Sequence, residues 1–335
     1  MKSYQTSVLC FILLIFFIPA PAQNKKPPPV SIIFDTDIGP DYDDVGAMAL
    51  LHAMADSGEC RILATIASNK HPYIAAVLNV INTYFNRAQI PIGVVSGEAV
   101  NESAREKWDS LLVATYPHAI QSNDQAENAL TLYRKILASQ PDKSVTIVTV
   151  GFLTNMANLL ESKPDRFSPL GGKDLIQQKV KLLVSMAARF DSEMGRFKEF
   201  NVVRDAAASV TAFNNWPTTV IFSGFEIGMP IHTGLPIVNN PAISNSPVKD
   251  VFSRCTSLNP NDKNGRNSWD ETAVLVAVRG YQRYFNAVKG QIICNADGSN
   301  GWNMNGQRDY YLVQKKSIAE MERILNDLIM HQPKK

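Results

Sequence analysis

The chain has 335 residues, of which 45% are hydrophobic and 19% charged, and its formal net charge is +2. This composition supports a substantial buried core and excludes a disordered chain. Because the charge is nearly balanced and no long basic run or basic–aromatic alternation occurs, nucleic acid is not expected as a main partner. The length allows one large α/β domain or two smaller ones.

The first residues have the pattern of a secretory signal peptide. Lys2 precedes an apolar run over residues 8–18, and an Ala-x-Ala cleavage pattern ends at Ala22. The apolar run is too short to span a membrane comfortably, which argues against an anchor. We therefore predict a signal peptide over residues 1–22 and a disordered, proline-rich lead-in over 23–29. The protein is expected to be exported, to the periplasm or the extracellular space, with no stable membrane insertion after cleavage.

The stretch Asp35–Asp44 contains five aspartates in ten residues and no Lys or Arg. It follows Val30–Phe34, an apolar, β-branched run typical of a buried strand, and it precedes a helix that Asp43 and Asp44 would open. The carboxylates thus gather at the carboxyl end of a strand, where open α/β sheets bind ligands. Helix capping explains one or two of the five. The others repel one another unless a cation neutralises them, and all-oxygen ligands favour Ca²⁺ or Mg²⁺ over zinc.

Strand-like and helix-like runs alternate along the rest of the chain. The predicted strands are 61–67, 92–97, 144–150, 179–185, 218–223 and 309–314, and the predicted helices are 73–85, 124–139, 153–161, 205–214, 268–278 and 317–328. Residues 98–123 show no clear pattern. Apolar strands that alternate with helices indicate an α/β fold with a mostly parallel central sheet covered by helices. We predict a single domain over residues 30–332, with its site at the carboxyl end of the strands.

Three cysteines follow the predicted signal peptide: Cys60, Cys255 and Cys294. They allow one disulfide and one free thiol, or no disulfide. Cys60 precedes a strand-like run and is expected to be buried, so if a bridge forms, the expected pair is Cys255 with Cys294. No CxxC pair and no Cys–His cluster with zinc spacing occurs.

The aspartate stretch resembles the N-terminal signature of the inosine-uridine-preferring nucleoside hydrolases, in a longer form with extra residues before the final Asp-Asp. Further segments resemble this family in the same order: Ser68-Asn69, Val150-Gly151-Phe152-Leu153-Thr154-Asn155, Glu199-Phe200-Asn201 followed by Asp205, and Trp269-Asp270. Together they span nearly all of the mature chain. The resemblance implies a Rossmann-like nucleoside hydrolase fold, hydrolysis of ribonucleosides to free base and ribose, and a homo-oligomer.

The resemblance also implies the site. One Ca²⁺ would be bound by the side chains of Asp37, Asp44 and Asp270 and the backbone carbonyl of Val150, with Asp35 as a ligand or near-ligand. Ribose hydroxyls would be held by Asp43, Asn69, Glu199 and Asn201, with Phe200 packing nearby. N-glycosidic cleavage passes through an oxocarbenium-like transition state, which nearby carboxylates stabilise. Ca²⁺ makes its bound water more acidic, and a carboxylate beside that water, assigned to Asp37, takes its proton.

The sequence departs from better-known members at two positions. Trp269 stands where they carry a His, the usual candidate acid for the departing base, and an indole cannot donate a proton in that way. Trp269 would either stack on the nucleobase or pack against the following helix, and both options stay open. Glu193 stands where an asparagine is expected, six residues before Glu199, so sugar recognition is expected to differ.

Two other functions stay open from the sequence. An apolar strand that ends in Asp-x-Asp also resembles the haloacid-dehalogenase phosphatases, in which Asp35 would be the nucleophile and Mg²⁺ would bridge the phosphate. Those enzymes usually have Thr or Val after the second Asp, whereas Ile38-Gly39 follows here. The other alternative is a Ca²⁺-dependent relative that binds sugars or nucleosides without cleaving them, which the changes at Trp269 and Glu193 motivate.

Overall fold

The computed structural model describes residue 2 and residues 27–333. The predicted signal peptide, apart from Lys2, and residues 23–26 of the predicted lead-in lie outside the described residues. In the part of the chain that is described, no helix has both the length and the apolar character needed to cross a membrane.

Strands and helices alternate, as the sequence predicted. The strands are β1 (Val30–Thr36), β2 (Cys60–Ala67), β3 (Ile92–Val94), β4 (Glu127–Asn128), β5 (Val145–Thr149), β6 (Val180–Met186), β7 (Val220–Ser223), β8 (His232–Thr233), β9 (Arg266–Asn267), β10 (Phe285–Cys294), β11 (Asn300–Asn303) and β12 (Asp309–Gln314). The helices of the first half are α1 (Asp43–Asp56), α2 (Ile74–Tyr84), α3 (Trp108–Thr115), α4 (Ala129–Ser139), α5 (Thr154–Glu161) and α6 (Gly172–Lys179). Those of the second half are α7 (Phe200–Arg204), α8 (Ala206–Asn215), α9 (Phe225–Gly228), α10 (Leu235–Val238), α11 (Pro247–Leu258), α12 (Trp269–Arg279) and α13 (Ile318–Ile329).

A ten-stranded sheet in the order β11-β10-β12-β7-β6-β5-β1-β2-β3-β4 organises the fold. Neighbouring strands from β12 to β4 run parallel, and β10 and β11 extend the sheet antiparallel. The predicted α/β fold with a mostly parallel sheet is confirmed, while the extent of a single domain over 30–332 stays a prediction. From β1 the chain proceeds outward to β4 and then returns to β5 beside β1. This reversal makes the carboxyl ends of β1 and β5 a switch point, where open sheets form ligand crevices.

The central strands β1 and β5 are buried on both faces of the sheet. In β1, Ile32 and Phe34 belong to one cluster of buried apolar side chains, and Ile33 belongs to a second cluster on the other face. Successive strand residues point to opposite faces, so a central strand needs a continuous apolar run. Such a run is the signal by which the sequence revealed this strand.

The predicted helix 124–139 begins too early. It starts at Ala129, because the side chain of Asn128 caps it by accepting a hydrogen bond from the backbone N–H of Thr131 at 3.0 Å. Before it, β4 pairs with β3 as an edge strand. Helices α6 and α11 and the β10–β11 hairpin were not predicted from the sequence, and α3 lies in the stretch 98–123 that showed no pattern.

The three cysteines of the described chain are free and buried. Cys60 is buried as predicted, but the expected pair is wrong, because Cys255 and Cys294 belong to the apolar clusters on opposite faces of the sheet. Burial raises the pKa of the Cys60 and Cys294 thiols to about 12, which makes both unreactive near neutral pH.

The free thiols give a direct test of this arrangement. When a chain lacking residues 1–22 is denatured without reductant, three thiols per chain should react with dithionitrobenzoate. In the Cys294→Ser variant, two should react. Under native conditions, reaction should be slow because the thiols are buried. One thiol per denatured chain would restore the pairing of Cys255 with Cys294.

Candidate active site

A cavity opens beyond the carboxyl ends of β1, β5 and β6. It encloses about 460 Å³ of empty space, including the open space at its mouth. Its lining combines carboxylates with apolar and aromatic side chains: Asp37, Asp41, Asp43, Asp44, Val150, Met186, Glu199, Phe200, Asn201, Phe225, Trp269 and Asp270. Residues far apart in sequence meet here because β1 and β5 end side by side, with the Val150 backbone N–H donating to the Asp35 carbonyl at 2.9 Å.

Three buried carboxylates form the centre of the acidic part. Asp43 and Asp44 begin α1, Asp270 lies in the first turn of α12, and one carboxylate oxygen from each lies within 4.8 Å of the others. Burial, and then the neighbouring carboxylates, raises the pKa of Asp44 and of Asp270 well above the usual range. Such a group of oxygens suits a hard divalent cation, which would relieve the repulsion. The residues therefore fit a metal ion.

Asp37, which also lines the cavity, lies outside this closest group. Its pKa is raised well above the usual range, first by burial and then by the charge of Asp44. Gly151, which follows β5, lies directly against it, since a Cβ atom on Gly151 would be 2.4 Å from the Asp37 nitrogen and 2.7 Å from its Oδ1. The bare glycine backbone is what allows the β5 loop to come this close to Asp37.

Asp35 is fully buried behind the cavity and does not line it. Its Oδ2 accepts hydrogen bonds from the Tyr133 hydroxyl at 2.8 Å and from Asn155 Nδ2 at 3.0 Å. Burial raises the pKa of Asp35 to about 7 in spite of these donors. The structure thus shows Asp35 joining β1 to α4 and α5, and direct metal binding by this residue stays a prediction.

Arg266, a cation beside the acidic part of the cavity, was not predicted from the sequence. Its guanidinium donates to Asp43 Oδ1 from Nε at 3.0 Å and from Nη2 at 2.9 Å, and Nη2 lies 2.9 Å from Asp41 Oδ1. The same group stacks 5.2 Å from the ring of Tyr42 and 5.0 Å from that of Trp269. The only sequence signal is its position shortly before Trp269-Asp270. Asp43, predicted to hold a ribose hydroxyl, thus accepts from Arg266 on Oδ1, and its Oδ2 accepts from the Asp270 N–H at 3.4 Å.

Glu199 and Asn201 reach the cavity from the start of α7. Glu199 caps this helix: its carboxylate accepts hydrogen bonds from the backbone N–H groups of Asn201 at 3.0 Å and Val202 at 3.2 Å. Burial nevertheless raises its pKa to about 7. Asn201 donates to the carbonyls of Val150 at 3.1 Å and Met186 at 3.3 Å, and so it holds the ends of β5 and β6 in place.

Two residues of the predicted substrate site lie outside the cavity lining. Asn69 donates to the carbonyls of Asp37 at 3.0 Å and Glu102 at 2.8 Å, and its Oδ1 accepts from the Glu102 N–H at 3.0 Å. Its amide therefore braces the loop around Asp37. Glu193 is half-buried in a turn, where its carbonyl accepts from the N–H of Phe197 at 2.9 Å. Sugar contact by either residue stays a prediction.

Aromatic side chains form another part of the wall. Trp269 packs at 5.2 Å from Phe225, and its Nε1 donates to the Phe225 carbonyl at 2.8 Å, while both rings line the cavity with Phe200. Trp269, the first residue of α12, is thus observed to pack against Phe225 of α9. The ring still faces the cavity, so stacking on a ligand is compatible with this packing.

Comparisons with known proteins indicate similarity to nucleoside hydrolases. The family model described as "Inosine-uridine preferring nucleoside hydrolase" matches residues 32–316. The chain is similar to a solved plant nucleoside hydrolase, with a TM-score of 0.68 and 18% identity over 90% of this chain and 99% of that one. No curated protein sequence matches the chain significantly.

Two bacterial structures are similar over comparable lengths. A purine-preferring ribonucleoside hydrolase from Gardnerella vaginalis gives a TM-score of 0.67 and 15% identity over 90% of this chain and 99% of that one. An inosine-uridine preferring nucleoside hydrolase from Bacillus anthracis gives a TM-score of 0.64 and 14% identity, again over 90% of this chain and 99% of that one. At these identities the likeness concerns the fold. The family match includes the late segments that a phosphatase leaves unexplained, so the phosphatase alternative is not favoured.

Gly151 tests the position of Asp37. If Asp37 helps to hold a cation, Gly151→Ala should reduce or abolish any rise in melting temperature on adding Ca²⁺, because the new Cβ displaces Asp37. Gly171→Ala is the matched control, since the nearest atom to its Cβ is 3.7 Å away, and it should keep the full rise. The measurement is thermal unfolding with Ca²⁺ and with chelator. An unchanged Ca²⁺ response in Gly151→Ala would show that Asp37 tolerates this displacement or does not bind the ion.

Arg266 tests the charge balance. Arg266→Met leaves Asp41 and Asp43 without their cation, and the free energy of unfolding in chelator should fall by about 3–5 kcal/mol, as for other broken buried pairs. Arg323→Met, which removes only an exposed pair with Asp327, should leave the free energy of unfolding nearly unchanged. Urea unfolding measures both. Equal stability of the two variants would contradict a structural role for Arg266.

Proposed function

The chain belongs to the inosine-uridine preferring nucleoside hydrolase family and is therefore a hydrolase acting on N-glycosyl compounds, and on this premise we propose that it cleaves ribonucleosides to free base and ribose. The observation that carries the proposal is a single cavity that places a buried carboxylate cluster, Asp43, Asp44 and Asp270, beside an aromatic wall. The carboxylate cluster suits a metal ion and a sugar, and the aromatic wall suits a planar base.

The proposed cofactor is one Ca²⁺ ion. The residues that would hold it are Asp37, Asp44 and Asp270 with the Val150 carbonyl, and the position of Asp43 within the closest carboxylate group adds it as a candidate. All of these donors are oxygen, as Ca²⁺ prefers. When bound, the ion supplies Lewis-acid chemistry, which fixes neighbouring ribose hydroxyls and makes an attacking water more acidic.

Asp37 acts as the general base and removes the proton from the water that attacks C1′ of the ribose. Asp37 is buried and lines the cavity, so its carboxylate can reach a water that is held there. As the C1′–N bond lengthens, positive charge develops on the ribose ring. The surrounding carboxylates stabilise this charge in a site that excludes most water.

Glu199 and Asn201 hold the ribose hydroxyls. Both amide hydrogens of Asn201 are directed at the Val150 and Met186 carbonyls, so Asn201 offers its carbonyl oxygen to a sugar hydroxyl. Glu199 is fixed by three backbone N–H groups and presents a rigid carboxylate. Because both side chains are positioned before substrate arrives, little conformational entropy is lost when the sugar binds.

The base would lie against Phe200, Phe225 and Trp269. Relatives with this fold are named as preferring inosine and uridine or purines, so a test has to include both classes of base. We further propose that the chain acts after export, following cleavage near Ala22, and as a homo-oligomer.

Ribose release tests the proposed function. With Ca²⁺, the enzyme should release ribose from at least one purine or pyrimidine nucleoside in a reducing-sugar assay, and chelator should abolish the release. Asp37→Asn, which keeps the size of the side chain, should lower kcat/KM by about 10²–10⁴-fold because the general base is lost. Asp327→Asn, at an exposed position on α13, is the control and should leave kcat/KM unchanged. Ca²⁺ binding without turnover of any nucleoside would favour the non-catalytic alternative.

A further inference from the structure

The cavity lacks a free proton donor for a departing base. In the described part of the chain, none of the side chains that line it is a His, Lys, Arg, Tyr, Cys, Ser or Thr. A neutral nucleobase leaves with the bonding electrons and becomes an anion unless an acid protonates it, and general acid catalysis contributes about 10²–10⁴-fold. This site therefore has no side chain whose evident role is to assist that departure.

The two lining side chains that carry N–H groups are already engaged. Trp269 has a single donor, Nε1, which is directed at the Phe225 carbonyl at 2.8 Å. Asn201 Nδ2 is directed at the Val150 carbonyl at 3.1 Å and the Met186 carbonyl at 3.3 Å. Neither group can turn toward a base without losing the hydrogen bond that it donates to a backbone carbonyl.

The carboxyl groups have other partners. Arg266 binds Asp41 and Asp43, and Glu199 accepts backbone N–H groups on both of its oxygens. The three that remain are Asp37, Asp44 and Asp270. In the proposed function, Asp37 is the general base and all three are ion ligands. Protonating a leaving group from this set would remove the negative charge that the site concentrates.

The aromatic wall faces the same cavity as this negative charge. Six carboxyl groups line the cavity, and when all are ionised they carry six negative charges, of which Arg266 and one divalent ion would offset three. Two arginines lie against rings of the aromatic wall, but each has an acidic partner. Arg189 lies 5.2 Å from the Phe225 ring and pairs with Asp191 at 2.8 Å. Arg204 lies 5.9 Å from the Phe200 ring and pairs with Glu102. A flat cation between aromatic faces and excess carboxylates would be attracted by both.

We propose that the preferred substrates are ribosides of a quaternised, pyridinium-type base, which carries a positive charge in the intact riboside. The proposal rests on the proposed function, because it names the substrate class of the same site. In this reaction the bond between C1′ and the ring nitrogen breaks, and its electron pair neutralises the pyridinium nitrogen. The base therefore departs uncharged and needs no proton. Water forms the new C1′–O bond, and its proton passes to Asp37 and then to solvent.

Nicotinamide riboside is the probe, with inosine and uridine as neutral comparisons, and Ca²⁺ is present throughout. The kcat/KM for nicotinamide riboside should exceed that for either neutral nucleoside by about 10²-fold or more, the contribution of a missing general acid. Phe225→Leu keeps an apolar side chain but removes an aromatic face. It should lower the ratio of nicotinamide riboside to inosine kcat/KM by about threefold to tenfold, the range for a cation–π contact.

Phe197→Leu is the matched control. Phe197 packs at 4.6 Å against Phe225 but does not line the cavity, so the same substitution there should leave the ratio unchanged. The ratio separates charge recognition from a general loss of folding, which would lower both rates together. The comparison on the unaltered enzyme keeps the test valid even if Phe225→Leu does not fold.

The outcomes separate this inference from the proposed function. Ribose release from inosine or uridine at a rate within about 10²-fold of nicotinamide riboside overturns the substrate class and leaves nucleoside hydrolysis standing. The inference also fails if Phe225→Leu and Phe197→Leu change the ratio equally. If no riboside is cleaved while Ca²⁺ still binds, both the inference and the proposed function are wrong.

Discussion

The repulsion between buried carboxylates is the constraint on which this site depends. Asp43, Asp44 and Asp270 lie within 4.8 Å of one another and almost out of contact with water. Like charges at that distance in a protein interior cost free energy unless positive charge is close. Arg266 supplies part of this positive charge. The positive N-terminal ends of two helices supply another part, because Asp43 and Asp44 begin α1 and Asp270 lies in the first turn of α12. A divalent cation would supply the remainder.

The sheet topology brings these charges together. Because β5 returns beside β1, the loops after the two strands meet, and Gly151 allows them to touch at Asp37. The loops after the strands thus place Asp37 and the Val150 carbonyl at the cavity, and the first turns of α1 and α12 place Asp43, Asp44 and Asp270 there. Asn201 ties the end of β5 to that of β6. The same hydrogen bonds position the carbonyl of Val150, which the proposed function makes an ion ligand.

Local sequence patterns predicted the features that depend on neighbouring residues alone, namely the buried strands and the acidic loop. The apolar runs of β1, β2 and β5 indicated buried strands, and the aspartates after β1 indicated the site, because strand ends converge in a parallel sheet. Contacts between distant segments left no such pattern. The pairing of Arg266 with Asp43 and the bracing role of Asn69 depend on how the loops fold over the sheet. The start of α4 depended on one capping side chain, Asn128.

The longer aspartate loop has its own partners in the late part of the chain. The residues that lengthen it are Asp41, which pairs with Arg266, and Tyr42, whose hydroxyl donates to Asp262 at 2.8 Å. Arg266 stacks on Tyr42 and on Trp269. The extra residues therefore connect the carboxylate cluster to the aromatic wall through one guanidinium. A change in the loop would alter both the charge beside the carboxylate cluster and the placement of the Trp269 ring. Under the proposed function, such a change would therefore affect ion binding and substrate preference together.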